Sequence, residues 1–397
     1  MFVNLKVMTT ILILFAIVLY LIFKNQDFAT GNKKYIIWMT IALTVVSGLR
    51  HEGVGNDTYA YMMMYENTGT DSWSYLLDNF WGNYLHPVDN SVKDPGYKIF
   101  SKLLYLIFPD SRLYLFVVAL MCLVPMGLFI RKYSKNLQTT LFAYAFYLTL
   151  FWRYLPNSAI RQSITIGVVL LGYICLCDRK WIYYILLVFF GSLFHKSGLI
   201  VLSLLPLLYY VNAKGFFKCS FVLFFLSLMF SDQVAFVFID QSDIYNNYLV
   251  GDYYGGVNES RPIMVIILFL GLYVITFMGL QRYKVENESQ KLLLIGTSLS
   301  MIFLPLIWVN PSLIRIVGYF APFMGIMVGE SFDRINMGRL IRNAVIVLFL
   351  YHSLSSFNSF KMMWQHMELH DRYGQKTEVF MKDFQQKNRC IIENHIA

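Results

Sequence analysis

The sequence predicts an all-α integral membrane protein with about twelve transmembrane helices. Of its 397 residues, 57% are hydrophobic and 14% are charged, whereas soluble domains carry about 25% charged residues. Apolar segments recur along the chain at about 20 residues, the length that crosses a bilayer. Lys and Arg are spread singly among short loops, as residues that determine topology are. The net charge of +9 therefore does not indicate nucleic-acid binding, which would need a basic run with interleaved aromatics.

The apolar segments can be placed in order along the chain by their length and their flanking charges. They are predicted near Leu5 to Phe23, Tyr35 to Leu49, Leu113 to Ile130, Leu137 to Trp152, Ile160 to Cys177, Trp181 to Phe194, Gly198 to Val211, Phe216 to Phe230, Pro262 to Leu280, Leu292 to Val309, Leu313 to Val328 and Ile341 to Phe357. The first is expected to be a retained helix, because lysines and no small-residue cleavage site follow it. Residues 1–360 would form one polytopic membrane domain and residues 361–397 a polar tail.

Alternate loops differ in their basic residues, and this difference predicts the orientation. One set is cytoplasmic by the positive-inside rule; it contains Lys24, Lys33, Lys34, Arg131, Lys132, Lys135, Arg179, Lys180, Lys214, Lys218, Arg282, Lys284, Lys291, Arg334, Arg339 and Arg342. The other set includes two long connections, residues 50–112 and 231–261, which are expected to be extracytoplasmic. A count of twelve helices also places both termini on that outer side.

The first long outer loop is expected to carry short amphipathic helices. A helix on the membrane surface is predicted after Asp71, because a capping residue there precedes one-sided apolar residues; these are Trp73, Leu76, Leu77 and Phe80. A second helix is predicted to begin at Pro95, since proline suits the first turn and Asp94 offers an N-cap. For Asp94, capping is favoured over a chemical role.

Polar side chains at the ends of the predicted helices indicate a site. Charges are costly in hydrocarbon, so those kept near helix ends mark a functional site by default. Six fall on the predicted outer side, namely Arg50, Asp57, Arg153, Arg161, His195 and Arg315. Since four of the six are arginines, the sequence predicts an extracytoplasmic pocket for an anionic ligand.

Two of the outer loops have local features that suit anion binding. Residues 50–61 combine ionisable side chains with two glycines, where the backbone can approach a ligand closely. The alternative is an interfacial loop in which Arg50 contacts lipid phosphates. Arg161 and Gln162 would open the fifth helix, where free N–H groups and the helix dipole favour anions. Alternatively, Arg161 extends to the membrane interface.

The remaining candidates lie near the sixth, seventh and eleventh helices. His195 falls between the sixth and seventh, where a neutral imidazole can accept a proton at physiological pH; the alternative is a histidine that faces water. Arg315 and Tyr319 lie one turn apart on the eleventh helix. An arginine at that depth needs a partner, either a protein carboxylate or a ligand.

No metal or cofactor is expected from the sequence. The five cysteines include no C-x-x-C pair for zinc or redox chemistry, and they are interpreted as small hydrophobic residues. There is also no D-x-D motif that would hold a metal.

The candidate residues occur in an order that resembles the EpsG-type polysaccharide polymerases, relatives of the Wzy O-antigen polymerases. The landmarks are Arg50 with Gly55-x-Asp57 and Tyr61, Asp94-Pro95-Gly96-Tyr97, Arg161-Gln162, His195-x-Ser197, and Arg315 with Tyr319. The resemblance extends over nearly all of the helical portion. One departure is Asp94, where the landmark would have glutamate.

The resemblance implies a GT-C-like, multi-helix glycosyltransferase in the bacterial inner membrane, with its active site facing the periplasm. The growing glycan on undecaprenyl pyrophosphate would be transferred to the non-reducing sugar of a second lipid-linked repeat unit. The implied partners are these two lipid-linked glycans, the surrounding membrane lipids and a chain-length regulator protein, with no nucleic acid.

Each candidate residue has an expected role in this reaction. The donor pyrophosphate would be bound by Arg161 and Arg315, together with Arg50 or Arg153, because fixed arginines can stabilise the leaving charge without a metal. His195 would accept the proton of the attacking sugar hydroxyl, with Asp57 as the competing candidate. Gln162 and Tyr319 would orient phosphate or sugar.

Two other functions remain compatible with the sequence. A lipid-linked oligosaccharide flippase would also be a helical bundle with arginines in the membrane, but transporters usually show repeated halves with broken helices at the midplane. A glycosyltransferase that adds one sugar from a polyprenyl-phosphate donor is closer in chemistry, with Asp57 as the base.

Overall fold

The described part of the chain is a bundle of helices. The computed structural model describes residues 5–51, 54–55, 57–85, 93–231, 233, 263–309 and 313–355. Its first nine α-helices are α1 (Leu5–Phe23), α2 (Phe28–Gly48), α3 (Thr58–Thr70), α4 (Trp73–Leu77), α5 (Phe80–Leu85), α6 (Pro95–Ile107), α7 (Ser111–Tyr133), α8 (Leu137–Leu150) and α9 (Ile160–Cys177). All regular elements in these ranges are helical, which confirms the all-α class.

The second half continues in the same way. It contains α10 (Trp181–Ser192), a 3₁₀ helix (Lys196–Ser203), α11 (Leu204–Tyr210), α12 (Ala213–Met229), α13 (Ile263–Leu280), α14 (Glu288–Phe303), α15 (Leu306–Val309), α16 (Ile314–Val317), α17 (Ala321–Ser331), a second 3₁₀ helix (Phe332–Arg334) and α18 (Gly338–Ser355). The predicted outer loop 231–261, apart from Ser231 and Gln233, and the tail 361–397 lie outside the described residues.

Four helical stretches in the described ranges are long and apolar enough to cross a membrane. They are Ser111–Tyr133, Ile160–Cys177, Ile263–Leu280 and Glu288–Val309. The last of these joins α14 to the short α15. Several other predicted segments form shorter apolar helices, including Val7–Phe23 and Trp181–Ser192. The chain is therefore a helical membrane protein, and the count of twelve spans stays a prediction.

Two segments predicted as continuous helices are broken. The stretch Gly198 to Val211 is a 3₁₀ helix followed by α11, because Pro206 in the first turn of α11 lacks the N–H that would continue an α-helix through it. The stretch Leu313 to Val328 is interrupted between α16 and α17. Pro322 stands in the first turn of α17, where proline is tolerated. Tyr319 lies in the second break, between α16 and α17, and Ser197 lies in the 3₁₀ helix that precedes the first.

The first outer loop contains more helix than predicted. The helix α3 was not expected, and the predicted surface helix is two short helices, α4 and α5. Asp71 was wrongly predicted to cap it: Ser72 accepts the hydrogen bond from the Tyr75 N–H, while Asp71 ends α3. The start of α6 at Pro95 is confirmed.

The basic loops meet at one end of the bundle. Ion pairs connect them there, Lys132 Nζ to Asp178 Oδ1 at 2.7 Å, Arg179 Nη2 to Glu288 Oε1 at 3.0 Å, and Lys135 Nζ and Arg334 Nη2 to Glu330 Oε2 at 3.3 and 2.9 Å. The helices α2, α8 and α17 run between this end and the end that carries the predicted site. The two predicted sets of loops are thus separated by the length of the helices.

Aromatic side chains pack the centre of the bundle and connect α7, α9 and α17. The Phe323 ring lies 5.1 Å from Phe129 and 4.6 Å from Tyr173, measured between centroids. The Tyr133 hydroxyl donates to the Tyr173 carbonyl at 2.9 Å. Aromatic pairs at such separations add about 0.5–1.5 kcal/mol beyond their buried area. This core packs the second half of α9 against α7 and α17.

Candidate active site

The site is organised around an ion pair between the start of α6 and the start of α9. The Arg161 Nη1 atom lies 2.8 Å from Asp94 Oδ2, and the two side chains are 17% and 3% exposed. The backbone N–H of Lys196 donates to the same carboxylate. Burial raises the pKa of Asp94 above its usual value, and the nearby Arg161 opposes that shift. The Asp94 carboxylate is therefore positioned by the Arg161 guanidinium and the backbone N–H of Lys196.

The structure corrects the predicted role of Asp94. The residue occupies the N-cap position of α6, but its side chain makes no capping hydrogen bond. Its φ of 55° places it in the left-handed region, which aspartate tolerates better than most residues. A capping side chain normally stands on an extended backbone, so this conformation leaves the carboxylate free to meet Arg161.

Two tyrosines enclose the Arg161 guanidinium. Its Nε donates to the Tyr61 hydroxyl at 3.3 Å, and its Cζ lies 5.8 Å from the Tyr61 ring centroid and 6.0 Å from that of Tyr97. The Tyr97 hydroxyl is hydrogen-bonded to that of Tyr114. Guanidinium over an aromatic face gains cation–π energy, so the arginine is fixed before any ligand arrives.

The close approach of α6 to the end of α10 depends on Gly96. A Cβ atom at this position would lie 2.6 Å from Leu193 Cβ and 2.8 Å from Leu193 O. Any larger residue would therefore separate the two segments. Since Asp94 and His195 each lie two residues from this contact, Gly96 brings the carboxylate and the imidazole to the same site.

His195 belongs to a hydrogen-bonded chain that crosses to the α16–α17 break. Its Nδ1 lies 2.7 Å from Ser197 Oγ, which lies 2.9 Å from the Tyr319 hydroxyl. Gln162 also hydrogen-bonds the Tyr319 hydroxyl and donates from Nε2 to the Arg315 carbonyl at 2.9 Å. The predicted site residues His195, Gln162 and Tyr319 are thus brought together.

The surroundings of His195 keep its imidazole neutral. Burial lowers its pKa well below 6.5, and the positive charges of Lys93, Arg161 and Arg315 lower it further. A protonated imidazole would lie among like charges in a poorly solvated place, which disfavours it. At neutral pH the ring therefore carries one proton, on a nitrogen selected by its partners.

Arg315 faces Asp57 across the site. The Arg315 Nη2 atom lies 4.0 Å from Asp57 Oδ2, and both side chains are partly exposed, at 27% and 43%. At this distance and exposure the pair is loose and is worth about 1 kcal/mol at most. Both groups are therefore available to a ligand.

The other two predicted arginines lie outside this cluster. Arg50 is 9% exposed; it donates from Nε to Thr58 Oγ1 at 3.2 Å and from Nη1 to the Ser47 carbonyl. Its contacts hold the end of α2 against the start of α3. Arg153 places its guanidinium 5.8 Å from the Tyr154 ring centroid.

The glycine-containing loop before α3 packs on the loop before α9. Gly55 has a φ of 94°, and a Cβ there would lie 1.7 Å from the Asn157 carbonyl oxygen. The same carbonyl accepts from Thr58 Oγ1 at 3.1 Å. The close approach that Gly55 permits is to another loop of the protein, and the approach to a ligand stays a prediction. This contact positions Asp57 beside the start of α9.

Sequence reasoning missed several members of the site. Tyr61, Tyr97 and Ser197 were noticed as landmarks and given no role, and Lys93 was not considered. Asp94 was assigned to capping. The available signal was their position, since each lies within a few residues of an assigned site residue, or in or next to the acidic-Pro-Gly-Tyr stretch. Among the described residues, no group of three or more His, Cys, Asp or Glu side chains could hold a metal ion.

Comparison with known proteins yields one match. A family model described as the EpsG family matches residues 33–365, a range that contains every residue of the site. No curated protein and no solved structure matches the chain.

Proposed function

This chain belongs to the EpsG family, and on that basis we propose that it is a polysaccharide polymerase acting on undecaprenyl-pyrophosphate-linked oligosaccharide repeat units. The observation that carries the proposal is the position of His195, hydrogen-bonded through Ser197 to Tyr319, next to the positive charges of Lys93, Arg161 and Arg315. A base beside clustered cations suits a reaction in which a hydroxyl attacks and a diphosphate leaves.

The reaction would transfer the growing glycan to the non-reducing sugar of a second unit. The acceptor hydroxyl oxygen forms a bond to the anomeric carbon as the bond from that carbon to the pyrophosphate oxygen breaks. The hydroxyl proton passes to the base, and the electron pair of the broken bond leaves with the pyrophosphate. Arg161 and Arg315 would stabilise that developing charge, since donors fixed in advance need no reorganisation during the reaction.

Arg161 would bind the diphosphate through the N–H groups that Asp94 and Tyr61 leave free. The guanidinium has five N–H donors, and its contacts with Asp94 and Tyr61 use the Nη1 and Nε groups. The remaining donors suit a phosphate oxygen, and two parallel bonds to one phosphate are a geometry that arginine favours. Asp94 would thus keep Arg161 oriented towards the diphosphate.

His195 would act as base through Nε2, and this requires its Nδ1 proton to be donated to Ser197 Oγ. The hydroxyls of Ser197 and Tyr319 can each donate or accept, so the chain itself permits either tautomer, and the proposed reaction selects the one with a proton on Nδ1. Asp57 remains the competing base, paired loosely with Arg315. Gln162 and Tyr319 would orient the phosphate or sugar from the same chain.

A third cationic contact to the donor is better assigned to Arg153 than to Arg50. Arg50 is tied to Ser47 and Thr58 and is 9% exposed, so a ligand could reach it only by dismantling the end of α2. Arg153 is more exposed than Arg50 and contacts the Tyr154 ring, so a ligand would reach its guanidinium without disrupting a helix end. We assign Arg50 a positioning role for the loop that carries Asp57.

The proposal includes an orientation and partners. The bundle would lie in the bacterial inner membrane in a GT-C-like arrangement of about twelve spans, with the basic loops in the cytoplasm and the site facing the periplasm. The positive-inside rule supports this orientation. The partners would be the two lipid-linked glycans, membrane lipids and a chain-length regulator.

Purified protein incubated with lipid-linked repeat units tests the proposal. A sugar ladder of many repeats is expected, and Arg161→Ala and Arg315→Ala should each slow its growth roughly a hundredfold, about 3 kcal/mol in the barrier. Arg339→Ala is the matched control, because Arg339 is exposed at the start of α18, far from the site.

The same experiment separates the alternatives. Single additions would instead identify a glycosyltransferase that uses a polyprenyl-phosphate donor. Repeat units that cross the membrane of a liposome without a new bond would identify a flippase. Normal ladders from well-expressed Arg161 and Arg315 variants would remove both arginines from the site.

A further inference from the structure

We propose that Lys196 is a positioning residue of the active site, because its side chain attaches the turn that carries His195 and Ser197 to the short helix α5. Lys196 stands between these two residues and begins the first 3₁₀ helix. Its Nζ donates at 3.0 Å to the carbonyl of Leu85, the last residue of α5. This inference rests on the proposed function, since it assigns His195 the part described above.

The helix α5 is a firm point of attachment because it packs on the end of α10. The Tyr84 hydroxyl is hydrogen-bonded to Ser192 Oγ at 2.7 Å, and both residues are buried. The Trp81 ring stacks on the Phe189 ring with 6.4 Å between the centroids. A buried hydrogen bond of this kind is costly to break, since neither partner gains a bond to water in exchange. The position of α5 is therefore fixed relative to α10.

The turn between α10 and the first 3₁₀ helix is attached to α5 on both of its sides. Ser192 ends α10 before the turn, and Lys196 follows the turn. Inside the turn, the His195 N–H donates to the Gly191 carbonyl at 3.3 Å, and the Gly198 N–H donates to the His195 carbonyl at 3.0 Å. These backbone bonds fold the turn, and the two side-chain bonds fix its position against α5.

The main chain of Lys196 also contacts the ion pair at the start of α6. Its N–H donates to the Asp94 carboxylate, which lies 2.8 Å from the Arg161 Nη1 atom. Lys196 therefore contacts Leu85 through its side chain and Asp94 through its main chain. Since His195 is the preceding residue, a displacement of Lys196 would move the imidazole relative to Arg161.

The bond to Leu85 suits the chemistry of a lysine. The last carbonyls of a helix have no partners within the helix and carry partial negative charge. A lysine can donate to them from an ammonium with three N–H groups on a flexible stem. Because this bond is exposed, its loss is expected to slow the reaction about fivefold and not to abolish it.

Lys196→Met in the purified full-length protein tests the proposal, because methionine keeps most of the stem and removes the ammonium. The kcat for ladder growth on lipid-linked units should fall about fivefold with KM little changed, and hydrogen–deuterium exchange of residues 80–85 should become faster. Lys196→Arg keeps a cationic donor and should restore both. Lys214→Met is the matched control and should change neither, because Lys214 is a partly exposed lysine in the first turn of α12, which carries no site residue.

The two measurements separate a failure of this proposal from a failure of the proposed function. Unchanged exchange of residues 80–85 in Lys196→Met, or faster exchange with a normal rate of ladder growth, would overturn the positioning role. A lowered unfolding temperature that Lys196→Arg does not restore would indicate general destabilisation and would overturn it too. A wild-type protein that makes no ladder would instead overturn the proposed function, and the exchange experiment would still decide whether Lys196 holds α5.

Discussion

Asp94 shows how a single side chain can serve a different purpose from the one its position indicates. Its place before Pro95 predicts an N-cap, yet its left-handed backbone turns the carboxylate towards Arg161. An aspartate beside Pro-Gly looks the same in sequence whether it caps a helix or binds an arginine. The buried Arg161 favours the ion pair over the cap, because an unpaired buried charge on Asp94 or on Arg161 would be costly.

The Asp94–Arg161 pair gives the first prediction at this scale. Arg161→Ala should destabilise the protein by about 3 kcal/mol, because it leaves a buried carboxylate without its partner. Asp94→Asn introduced into that variant should recover part of the loss, since no buried charge then remains. Thermal unfolding in detergent measures both. Additive effects of the two substitutions would contradict a direct ion pair.

The lowered pKa of His195 gives the second prediction. Because the neutral imidazole is the competent form and its folded pKa lies well below 6.5, polymerisation should stay constant as the pH falls from 7.5 through 6.5. Activity should be lost only when the pH drops through the folded pKa. A rate profile on lipid-linked units measures this, and a half-loss near pH 6.5 would show an ordinary, solvated histidine.

The lowered pKa of His195 also predicts how the stability of the protein depends on pH. In the window between the folded pKa and 6.5, the unfolded chain binds a proton at His195 that the folded protein does not. The free energy of unfolding should therefore fall as the pH is lowered below 6.5 and be independent of this residue above it. His195→Gln should flatten that part of the curve.

Ser197 gives a third prediction, as a residue that positions His195. Ser197→Ala removes the hydroxyl that would accept the Nδ1 proton, so the tautomer with a free Nε2 loses about 1 kcal/mol of hydrogen-bond stabilisation and kcat should fall about tenfold, with KM little changed. Ser197→Thr keeps a hydroxyl and should restore most of the rate. A purely structural role would be indicated if both variants shifted KM and kcat alike.

At the scale of elements, the contact between α6 and the end of α10 is decisive. It carries Asp94 on one side and His195 on the other, and it depends on the missing side chain of Gly96. The break in the predicted eleventh helix acts in the same way, because Tyr319 lies in it and hydrogen-bonds Ser197. An unbroken helix, with its side chains on fixed faces, would not ensure this contact.

Substitution of this glycine gives the fourth prediction. Gly96→Ala should destabilise the protein by about 1–3 kcal/mol, as overpacking does, and should reduce activity by displacing Asp94 from Arg161. Gly271→Ala in α13 is the control, because a Cβ there meets nothing within 4 Å and alanine favours a helix. Thermal unfolding and the ladder assay measure both variants; equal behaviour of the two would contradict the close contact.

At the scale of the whole molecule, the charged loops and the site occupy opposite ends of the helices. This separation gives the fifth prediction, which concerns orientation. In a variant without its native cysteines, Ser74→Cys in α4 should react with an impermeant maleimide added to intact cells. Lys180→Cys, beside the basic Arg179, should react only after the cells are permeabilised. The reverse pattern would invert the proposed topology.

Much of the fold and part of the site could be predicted from the sequence. The high hydropathy and the small number of charges identified a helical membrane protein. They could do so because the free energy of transferring a side chain into hydrocarbon depends on the residue itself and not on its neighbours in the fold. The landmarks pointed to the family that matches residues 33–365. They also selected Arg161, Gln162, His195 and Tyr319, which the structure brings together.

Other features depended on the tertiary structure. The pairing of Asp94 with Arg161, the chain from His195 through Ser197 to Tyr319, and the burial of Arg50 away from the cluster all depend on distances between different helices. A local sequence pattern reflects the transfer free energy of single residues between water and lipid. The interaction energy of a pair becomes appreciable only when packing brings its two members within a few ångströms. The composition therefore determined where this chain resides, and the packing of its helix ends decided which of its polar side chains can act together.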